Sequence, residues 1–207
     1  MVLVKDLMGF RVGLIGHWLR DMIIVDSLQN DPTNVIFLDM DGVLNNRDFL
    51  TESFLRWKRD KKKGIVKDWG IGEGFLYLIC EQLVERLNRI TLATDAKLVM
   101  SSSWRYSWYE DFEGLQDLFK NAGIQGELIG MTPLGVSGGD SRGKQIQRWL
   151  DENLKNSKGW QINRFIILDD SSDMEHLMSF LVRTSLHGPM GGLQDKHVKK
   201  AISQLLG

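Results

Sequence analysis

Residues 35–38 (Val-Ile-Phe-Leu) form a short and fully apolar run, and two aspartates follow it closely. Such a run is typical of a strand that is buried on both faces, as in a parallel sheet. Asp39 and Asp41 lie two positions apart, so in an extended chain their side chains point the same way. Two like charges at a buried strand end are costly unless a cation neutralises them. The pattern therefore predicts a parallel sheet with a charged site at one edge.

Apolar segments of strand length alternate along the chain with segments of helical periodicity. Further strands are predicted at 97–100, 127–130, 164–168 and 180–185, and helices at 75–90, 112–123, 143–154 and 194–206. Such alternation is typical of a parallel sheet that is covered by helices on both faces. We therefore expect an α/β fold, a three-layer α/β/α sandwich with a Rossmann-like parallel sheet of about five strands.

The length of 207 residues suits one domain with an additional terminal element. We expect an N-terminal helical extension at residues 1–31 and the main domain at 32–207. Residues 44–74 are polar and basic, and we interpret them as a loop or small flap. Neither this segment nor the stretch between Arg105 and Arg142 reaches the roughly 50 residues of a separate domain. We therefore expect no full cap domain and an open site.

Composition excludes several classes of protein. The net charge of −1 provides no global field for nucleic acid or membrane, so a nucleic-acid contact would need a local patch. A single cysteine, Cys80, excludes an internal disulfide framework and a zinc site built from several cysteines. The apolar run 12–19 is too short for a membrane span and lacks a clear cleavage site. We expect a cytoplasmic protein without membrane contact.

Three predicted strands end in polar side chains that would meet at one edge of the sheet. These side chains are Asp39 and Asp41, Ser101 and Ser102, and Asp169 and Asp170. All candidate ligands are oxygens, which favours Mg²⁺ over zinc. Lys144 lies in the first turn of a predicted helix, where an anion is also favoured. Ser101, or alternatively Ser102, would supply a hydroxyl to the same phosphate.

Such a group of side chains suits phosphoryl transfer. An ionised carboxylate can attack phosphorus, and a protonated carboxylic acid can donate a proton to the leaving oxygen. The sequence resembles the haloacid dehalogenase (HAD) superfamily of phosphohydrolases in four ordered motifs: FLDMDGVL, KLVMSSSWR, Lys144 and FIILDDSSD. Its tail, GPMGGLQDKHVKKAI, resembles a subgroup of small bacterial and phage members that carry SSWR.

The resemblance implies a role for each site residue. Asp39 would be the nucleophile and Asp41 the general acid and base, an acid that phosphatases and phosphomutases of the superfamily possess. Mg²⁺ would be held by Asp39, the main-chain carbonyl of Asp41, and Asp170 or Asp169. Ser101 and Lys144 would bind the phosphoryl group. The remaining candidates have supporting roles: Arg105, Arg142 and Asp173, the last of which also fits the spacing of the fourth motif.

We therefore expect a Mg²⁺-dependent phosphatase that acts through an aspartyl-phosphate, with nucleotides or nucleic-acid ends as the leading substrates. A small-metabolite phosphatase is the first alternative, and a module that binds a phosphorylated ligand without turnover is the second. The basic stretch 56–67 is either a solvated flap or a polyanion contact that combines lysines and arginines with Trp57. Trp104, Trp108 and Tyr109 either pack in the core or line a substrate pocket. The sequence does not predict the oligomeric state.

Overall fold

The computed structural model describes residues 32–66, 72–135, 139–155, 159–188 and 190–207. The predicted N-terminal extension at residues 1–31 lies outside the described residues, as does the part of the predicted flap at 67–71. No helix in the described ranges combines the length and apolar character that crossing a membrane requires.

The described strands form one parallel sheet in the order β3-β2-β1-β4-β5. They are β1 (Thr33–Leu38), β2 (Lys97–Met100), β3 (Leu128–Met131), β4 (Ile162–Asp169) and β5 (Leu181–Arg183). The predicted α/β fold is confirmed, and β2 has the predicted bounds. The chain extends the sheet from β1 in one direction and then returns to extend it in the other. Ligands of such sheets bind beyond the strands' carboxyl ends, where the order reverses beside β1.

Helices cover both faces of the sheet and give the three predicted layers. The α-helices are α1 (Arg47–Lys62), α2 (Glu81–Thr94), α3 (Arg105–Trp108), α4 (Phe112–Asn121), α5 (Arg142–Lys155) and α6 (Asp195–Leu206). Two 3-10 helices lie at Gly72–Leu78 and Glu175–Phe180. Side chains of β1 alternate between two apolar clusters. Ile36 and Leu38 pack toward α2, α4 and α6, whereas Val35 and Phe37 pack toward α5 and the second 3-10 helix.

Two sequence-based expectations differ from the structure. The predicted loop contains α1, a helix whose first turn is capped by the Asn46 side chain, which accepts the Phe49 N–H (2.9 Å). Asp48 in the first turn and three basic residues in the last turn complement the helix dipole. The single helix predicted at 75–90 is instead a 3-10 helix and α2. They separate at Cys80, which is extended and whose N–H donates to the Leu44 carbonyl (2.8 Å).

Candidate active site

The carboxyl ends of β1, β2 and β4 bring three predicted site residues into one row. Backbone pairing continues past the strands, because the Asp39 N–H donates to the Leu168 carbonyl (2.9 Å) and the Ser101 N–H donates to the Leu38 carbonyl (2.8 Å). Leu38 pairs with Leu168 in the sheet, so Asp39 lies between Ser101 and Asp169. Since strand side chains alternate, this row faces the layer that contains α5.

Asp39, Asp169 and Asp170 form a compact acid cluster. One carboxylate oxygen from each lies within 4.8 Å of the others. Asp39 is 5% exposed and Asp169 is fully buried. The Asp169 Oδ2 atom is buried and has no hydrogen-bond donor among the described residues. A buried set of carboxylate oxygens with an unsatisfied acceptor fits a hard divalent cation such as Mg²⁺.

Burial changes the acidity of both strand-end aspartates. Loss of solvation raises the pKa of Asp39 to about 6, although Arg142 and a hydrogen bond from Ser102 act in the opposite direction. Burial and the neighbouring charge of Asp39 raise the pKa of Asp169 to about 7. The cluster therefore favours a bound proton or cation at neutral pH.

Arg142 is the cation that the structure brings to this cluster. Its Nη2 lies 3.8 Å from Asp39 Oδ1 and its Nε lies 3.4 Å from Asp169 Oδ2. Its Nη1 is buried without a hydrogen-bond acceptor in the described part of the chain. Arg142 opens α5, and its backbone N–H donates to the Asp173 carboxylate (3.0 Å). The next residue is Gly143, where a Cβ would overlap the Met174 carbonyl oxygen, so glycine permits this close approach.

Two predicted residues of this region lie elsewhere. Lys144 is 57% exposed, and its ammonium group lies 3.6 Å from Glu175 rather than against the acid cluster. Asp173 accepts hydrogen bonds from the Arg142 N–H and from the Ser171 hydroxyl (2.7 Å), and it does not belong to the acid cluster. Asp173 therefore caps α5 beside Arg142, and the acid cluster contains Asp169 and Asp170 but not Asp173.

The two serines after β2 have different surroundings. Ser102 donates a hydrogen bond to Asp39, and its oxygen also accepts the Trp104 N–H (3.3 Å). The Ser101 hydroxyl is buried and has no partner within the described ranges. Ser102 thus acts to lower the pKa of Asp39, whereas the Ser101 hydroxyl has hydrogen-bonding capacity for a ligand.

Arg105 fixes the loop that carries these serines. Its side chain is buried, and its Nη1 donates to the carbonyls of Ser101 (3.1 Å) and Ser102 (2.5 Å). Its Nη2 donates to the Gln145 side chain of α5. Burial, together with Arg142, lowers the pKa of Arg105 to about 10. Arg105 thus ties the end of β2 to the helix that carries Arg142.

Asp41 is held apart from the acid cluster by two side chains. Its Oδ1 accepts a hydrogen bond from Asn45 Nδ2 (2.9 Å), and its Oδ2 accepts one from the Trp104 indole N–H (3.0 Å). No role for Asn45 is predicted from the sequence, and for Trp104 only core packing or pocket lining is expected. Asn45 lies only four residues from Asp41, at the start of the predicted loop at 44–74, and this proximity is a usable signal. Trp104 is distant in sequence and became evident only in the structure.

The aromatic residues after β2 divide between the core and the surface. Trp104 and Trp108 are mostly buried, and both rings contact Phe75, with centroid distances of 4.9 Å and 5.4 Å. Tyr109 is 62% exposed. Core packing thus describes both tryptophans, and Trp104 additionally reaches the site through its N–H.

Gly42 allows the turn after β1 to approach β4. Its φ angle is +73°, and a Cβ at this position would lie 2.7 Å from Asp170 side-chain atoms. Only glycine adopts this conformation readily and also leaves room for the Asp170 side chain. The glycine of the first motif therefore determines where one acid of the cluster can lie.

This fold and its strand-end acid cluster define the class of protein to which the chain belongs. The family model for the HAD domain in Swiss Army Knife RNA repair proteins matches residues 35–198. The chain belongs to this family, and the predicted membership of the HAD superfamily is confirmed. A comparison with curated proteins finds no match.

A solved structure of a haloacid dehalogenase-like hydrolase from Streptococcus pneumoniae is similar to this chain at 14% identity, with a TM-score of 0.36. The alignment covers 82% of this chain and 90% of that chain. The family membership supports a HAD-type hydrolase. HAD domains generally use a divalent metal, with which the buried acid cluster is compatible.

Proposed function

We propose that the chain is a Mg²⁺-dependent phosphomonoesterase that removes terminal phosphates from nucleic acids through an aspartyl-phosphate. The observation that carries this proposal is the row in which Asp39 lies between the Ser101 hydroxyl and Asp169, with Arg142 alongside. This row combines a nucleophile, a hydroxyl that can donate a hydrogen bond to phosphate, and a cation at one edge of the sheet. The family that the chain matches is described as a HAD domain of RNA repair proteins, and this description supports nucleic acid as the substrate.

Two hydrogen-bond donors and three acids would prepare the phosphomonoester for attack. Arg142 Nη1 and the Ser101 hydroxyl, both buried without partners among the described residues, would donate hydrogen bonds to phosphoryl oxygens. Asp39, Asp169 and Asp170 would hold Mg²⁺. When bound, Mg²⁺ supplies charge neutralisation that lets a phosphate dianion approach the acids.

The first chemical step uses Asp39 and Asp41. A carboxylate oxygen of Asp39 forms a bond to phosphorus while the bond between phosphorus and the ester oxygen breaks. Protonated Asp41 gives its proton to the departing oxygen, which leaves as an alcohol. The hydrogen bonds from Asn45 and Trp104 keep the Asp41 carboxyl oriented during this transfer.

The second step regenerates the nucleophile. Asp41, now ionised, accepts a proton from a water molecule as that water attacks the phosphorus of the aspartyl-phosphate. The bond between Asp39 and phosphorus breaks, and inorganic phosphate leaves. Asp41 is then protonated again and ready for the next substrate, so the proton balance closes over one cycle.

Hydrolysis of p-nitrophenyl phosphate with Mg²⁺ tests the reaction class, and a panel of phosphorylated compounds tests the substrate. We expect wild-type turnover that Asp39→Asn abolishes, since the amide cannot act as the nucleophile. Asp117→Asn, which changes an exposed aspartate of α4, is the matched control. We expect kcat/KM to be highest on oligonucleotides with a 3′- or 5′-phosphate.

The outcomes separate this proposal from its alternatives. A phosphate adduct on the peptide that contains Asp39, detected by mass spectrometry after acid quench, would support the covalent step. Binding of phosphorylated ligands without turnover under any divalent metal would instead indicate a binding module. A preference for small phosphorylated metabolites over every oligonucleotide would contradict the proposed substrate class.

A further inference from the structure

One face of α1 carries two aromatic side chains, each with a lysine over its ring. The rings of Phe54 and Trp57 stack with a centroid distance of 5.6 Å and an interplanar angle of 19°. The Lys58 ammonium lies 4.5 Å from the Phe54 centroid, and the Lys61 ammonium lies 5.0 Å from the Trp57 centroid. Spacings of three and four residues place these four side chains on one side of the helix. We call these four residues the α1 stripe.

The α1 stripe lies in the most basic part of the chain. Six of the eight residues at 56–63 are lysine or arginine, and one is acidic, whereas the whole chain has a net charge of −1. The rest of the chain is therefore net negative, and positive charge is concentrated on this helix. Phe54 is 37% exposed and Leu55 is 58% exposed. Trp57 is half-buried, so Phe54 is the exposed ring of the stripe. An aromatic surface among concentrated cations is the combination with which proteins bind single-stranded nucleic acid.

Tyr77 holds α1 in place from the 3-10 helix at Gly72–Leu78. The Tyr77 hydroxyl donates to the Asp60 carboxylate (2.9 Å), and the Ser53 hydroxyl donates to the Tyr77 carbonyl. The Arg56 guanidinium lies 5.1 Å from the Tyr77 ring centroid. These contacts anchor both halves of the helix. They also pair Asp60, the acidic residue within the basic segment 56–63, with the Tyr77 hydroxyl.

The N-terminal end of α1 is connected directly to the candidate active site. Asn45, whose side chain donates to Asp41, is followed by Asn46, which caps α1. A helix of 16 residues is about 24 Å long. A strand that lies along α1 would therefore extend away from the site over a length suited to several nucleotides.

We propose that α1 is a binding surface for single-stranded nucleic acid, which it holds by stacking bases on the α1 stripe and by contacting phosphates with the surrounding lysines and arginines. This inference rests on the proposed function, since it assigns a binding surface to the nucleotides that adjoin the terminal phosphate of the substrate. The contacts are to bases in general and to the backbone, so binding is tolerant of sequence.

Fluorescence anisotropy with the Asp39→Asn chain and Mg²⁺ measures binding separately from turnover. The probes are single-stranded RNA and DNA of about ten nucleotides, each phosphorylated at its 3′ or its 5′ end. Duplexes of the same length and phosphatidylserine vesicles serve for comparison. Lys58→Ala with Lys62→Ala removes two exposed charges from α1 in favour of the best helix former. Lys196→Ala with Lys199→Ala removes two exposed charges from α6 and is the matched control.

We expect the α1 pair to weaken oligonucleotide binding roughly tenfold and to reduce the slope of log affinity against log salt by about 1.4, which corresponds to two phosphate contacts. We expect little change with the α6 pair. Phe54→Leu keeps an apolar side chain but removes the ring, and we expect a loss of roughly five- to tenfold with a nearly unchanged salt slope. Circular dichroism of each variant checks that α1 remains folded.

Three results would overturn the inference. The first is an equal loss of oligonucleotide affinity in the α1 and α6 double variants. The second is equal affinity of the wild type for double- and single-stranded probes. The third is α1-dependent binding to phosphatidylserine vesicles but not to oligonucleotides. Failure of the proposed function is distinguishable. If the wild type hydrolyses no phosphomonoester but α1-dependent strand binding persists, the surface stands without the reaction. If the wild type hydrolyses p-nitrophenyl phosphate but the α1 variants bind oligonucleotides as tightly as the wild type does, only this inference fails.

Discussion

Asp39 and Asp41 are two residues apart, but the structure holds their carboxylates in different ways. Asp39 continues β1, pairs with β4 through its N–H and is 5% exposed. Asp41 lies in the turn beyond the strand, and both of its oxygens accept hydrogen bonds from side chains, those of Asn45 and Trp104. Sheet register thus places the proposed nucleophile, whereas a nearby side chain, Asn45, and a distant one, Trp104, place the proposed acid and base.

This difference indicates which substitutions each residue tolerates. The position of Asp39 depends on backbone hydrogen bonds, which side-chain substitutions leave intact. Substitutions of neighbouring residues should therefore affect Asp39 mainly by changing the charge around it. The position of Asp41 depends on single side-chain donors, so removal of one donor changes its orientation directly.

Arg142→Gln is expected to have the largest effect among the residues that surround Asp39. It removes the cation beside Asp39 and Asp169 while it keeps a hydrogen-bond donor. We expect kcat/KM for p-nitrophenyl phosphate to fall by about 10²–10³-fold, the magnitude usual for loss of one preorganised electrostatic group. Steady-state kinetics with saturating Mg²⁺ measures the effect.

Lys144→Gln is the matched control for Arg142→Gln. Its ammonium group is exposed and lies near Glu175, so we expect less than about a threefold change in kcat/KM. A large loss in Lys144→Gln with little change in Arg142→Gln would restore Lys144 as the phosphate-binding cation.

Gly42→Ala is expected to disturb the acid cluster through geometry alone. The added Cβ meets Asp170, and the residue has a φ angle of +73°. We expect a loss of about 2–4 kcal/mol in the free energy of unfolding and a loss of Mg²⁺-dependent stabilisation. Thermal and denaturant unfolding with and without Mg²⁺ measure both.

Gly123→Ala isolates the contribution of backbone strain. Gly123 has a φ angle of +76°, and a Cβ there would have no neighbour within 4 Å. We expect a cost of about 1 kcal/mol and unchanged stabilisation by Mg²⁺. If both glycine variants lost stability equally and kept their response to Mg²⁺, the clash with Asp170 would have no functional consequence.

Trp104→Phe tests the hydrogen bond that orients Asp41. Phenylalanine keeps an aromatic contact with Phe75 but removes the N–H that donates to Asp41. We expect kcat to fall about tenfold for alkyl phosphates, whose leaving oxygen needs a proton. The fall for p-nitrophenyl phosphate is expected to be smaller, because its leaving group is already a weak base.

Trp108→Phe provides the control for this comparison. Trp108 also contacts Phe75, and its indole N–H has no acceptor among the described residues. We expect no dependence of its effect on the leaving group. Equal behaviour of the two tryptophan variants across leaving groups would show that Trp104 acts by packing alone.

The sequence predicted the parts of this site that depend on sheet topology. Short apolar runs predict buried parallel strands, and parallel strands place the residues that follow them at one edge, which located Asp39, Ser101 and Asp169. Which cation reaches the acids depends on side-chain direction at the start of α5, and no periodicity distinguishes Arg142 from Lys144 there. The Trp104 contact with Asp41 joins residues 63 apart, so it is a tertiary contact without a local signal.

The conformation of residues 47–62 was missed for a different reason. The segment is rich in charges, and only Ser53 is buried in α1, so an apolar periodicity that would predict a helix is absent. Its helical signals are local: the Asn46 cap, Asp48 in the first turn and basic residues in the last. Such signals identify the ends of a helix, and the glycines that follow the segment favoured a loop instead.

Asp169→Asn tests whether charge at the strand ends destabilises the metal-free fold. The pKa of Asp169 is raised to about 7 from an unfolded value near 3.9. The protonated acid is thus favoured in the folded state, and its stabilising contribution is complete below about pH 4. That contribution is lost as the pH rises toward about 7, where the buried group ionises. In chelator at pH 8, we expect Asp169→Asn to raise the free energy of unfolding, because the variant has no charge to bury at this position, and the gain should vanish near pH 4. Denaturant unfolding across this pH range measures the gain in stability, with Asp117→Asn as a control that should show no such gain.

A constant difference between wild type and Asp169→Asn at all pH values would mean that Asp169 is not the group that titrates. Mg²⁺ should reverse the order of stability, because only the wild type retains all three acids of the cluster.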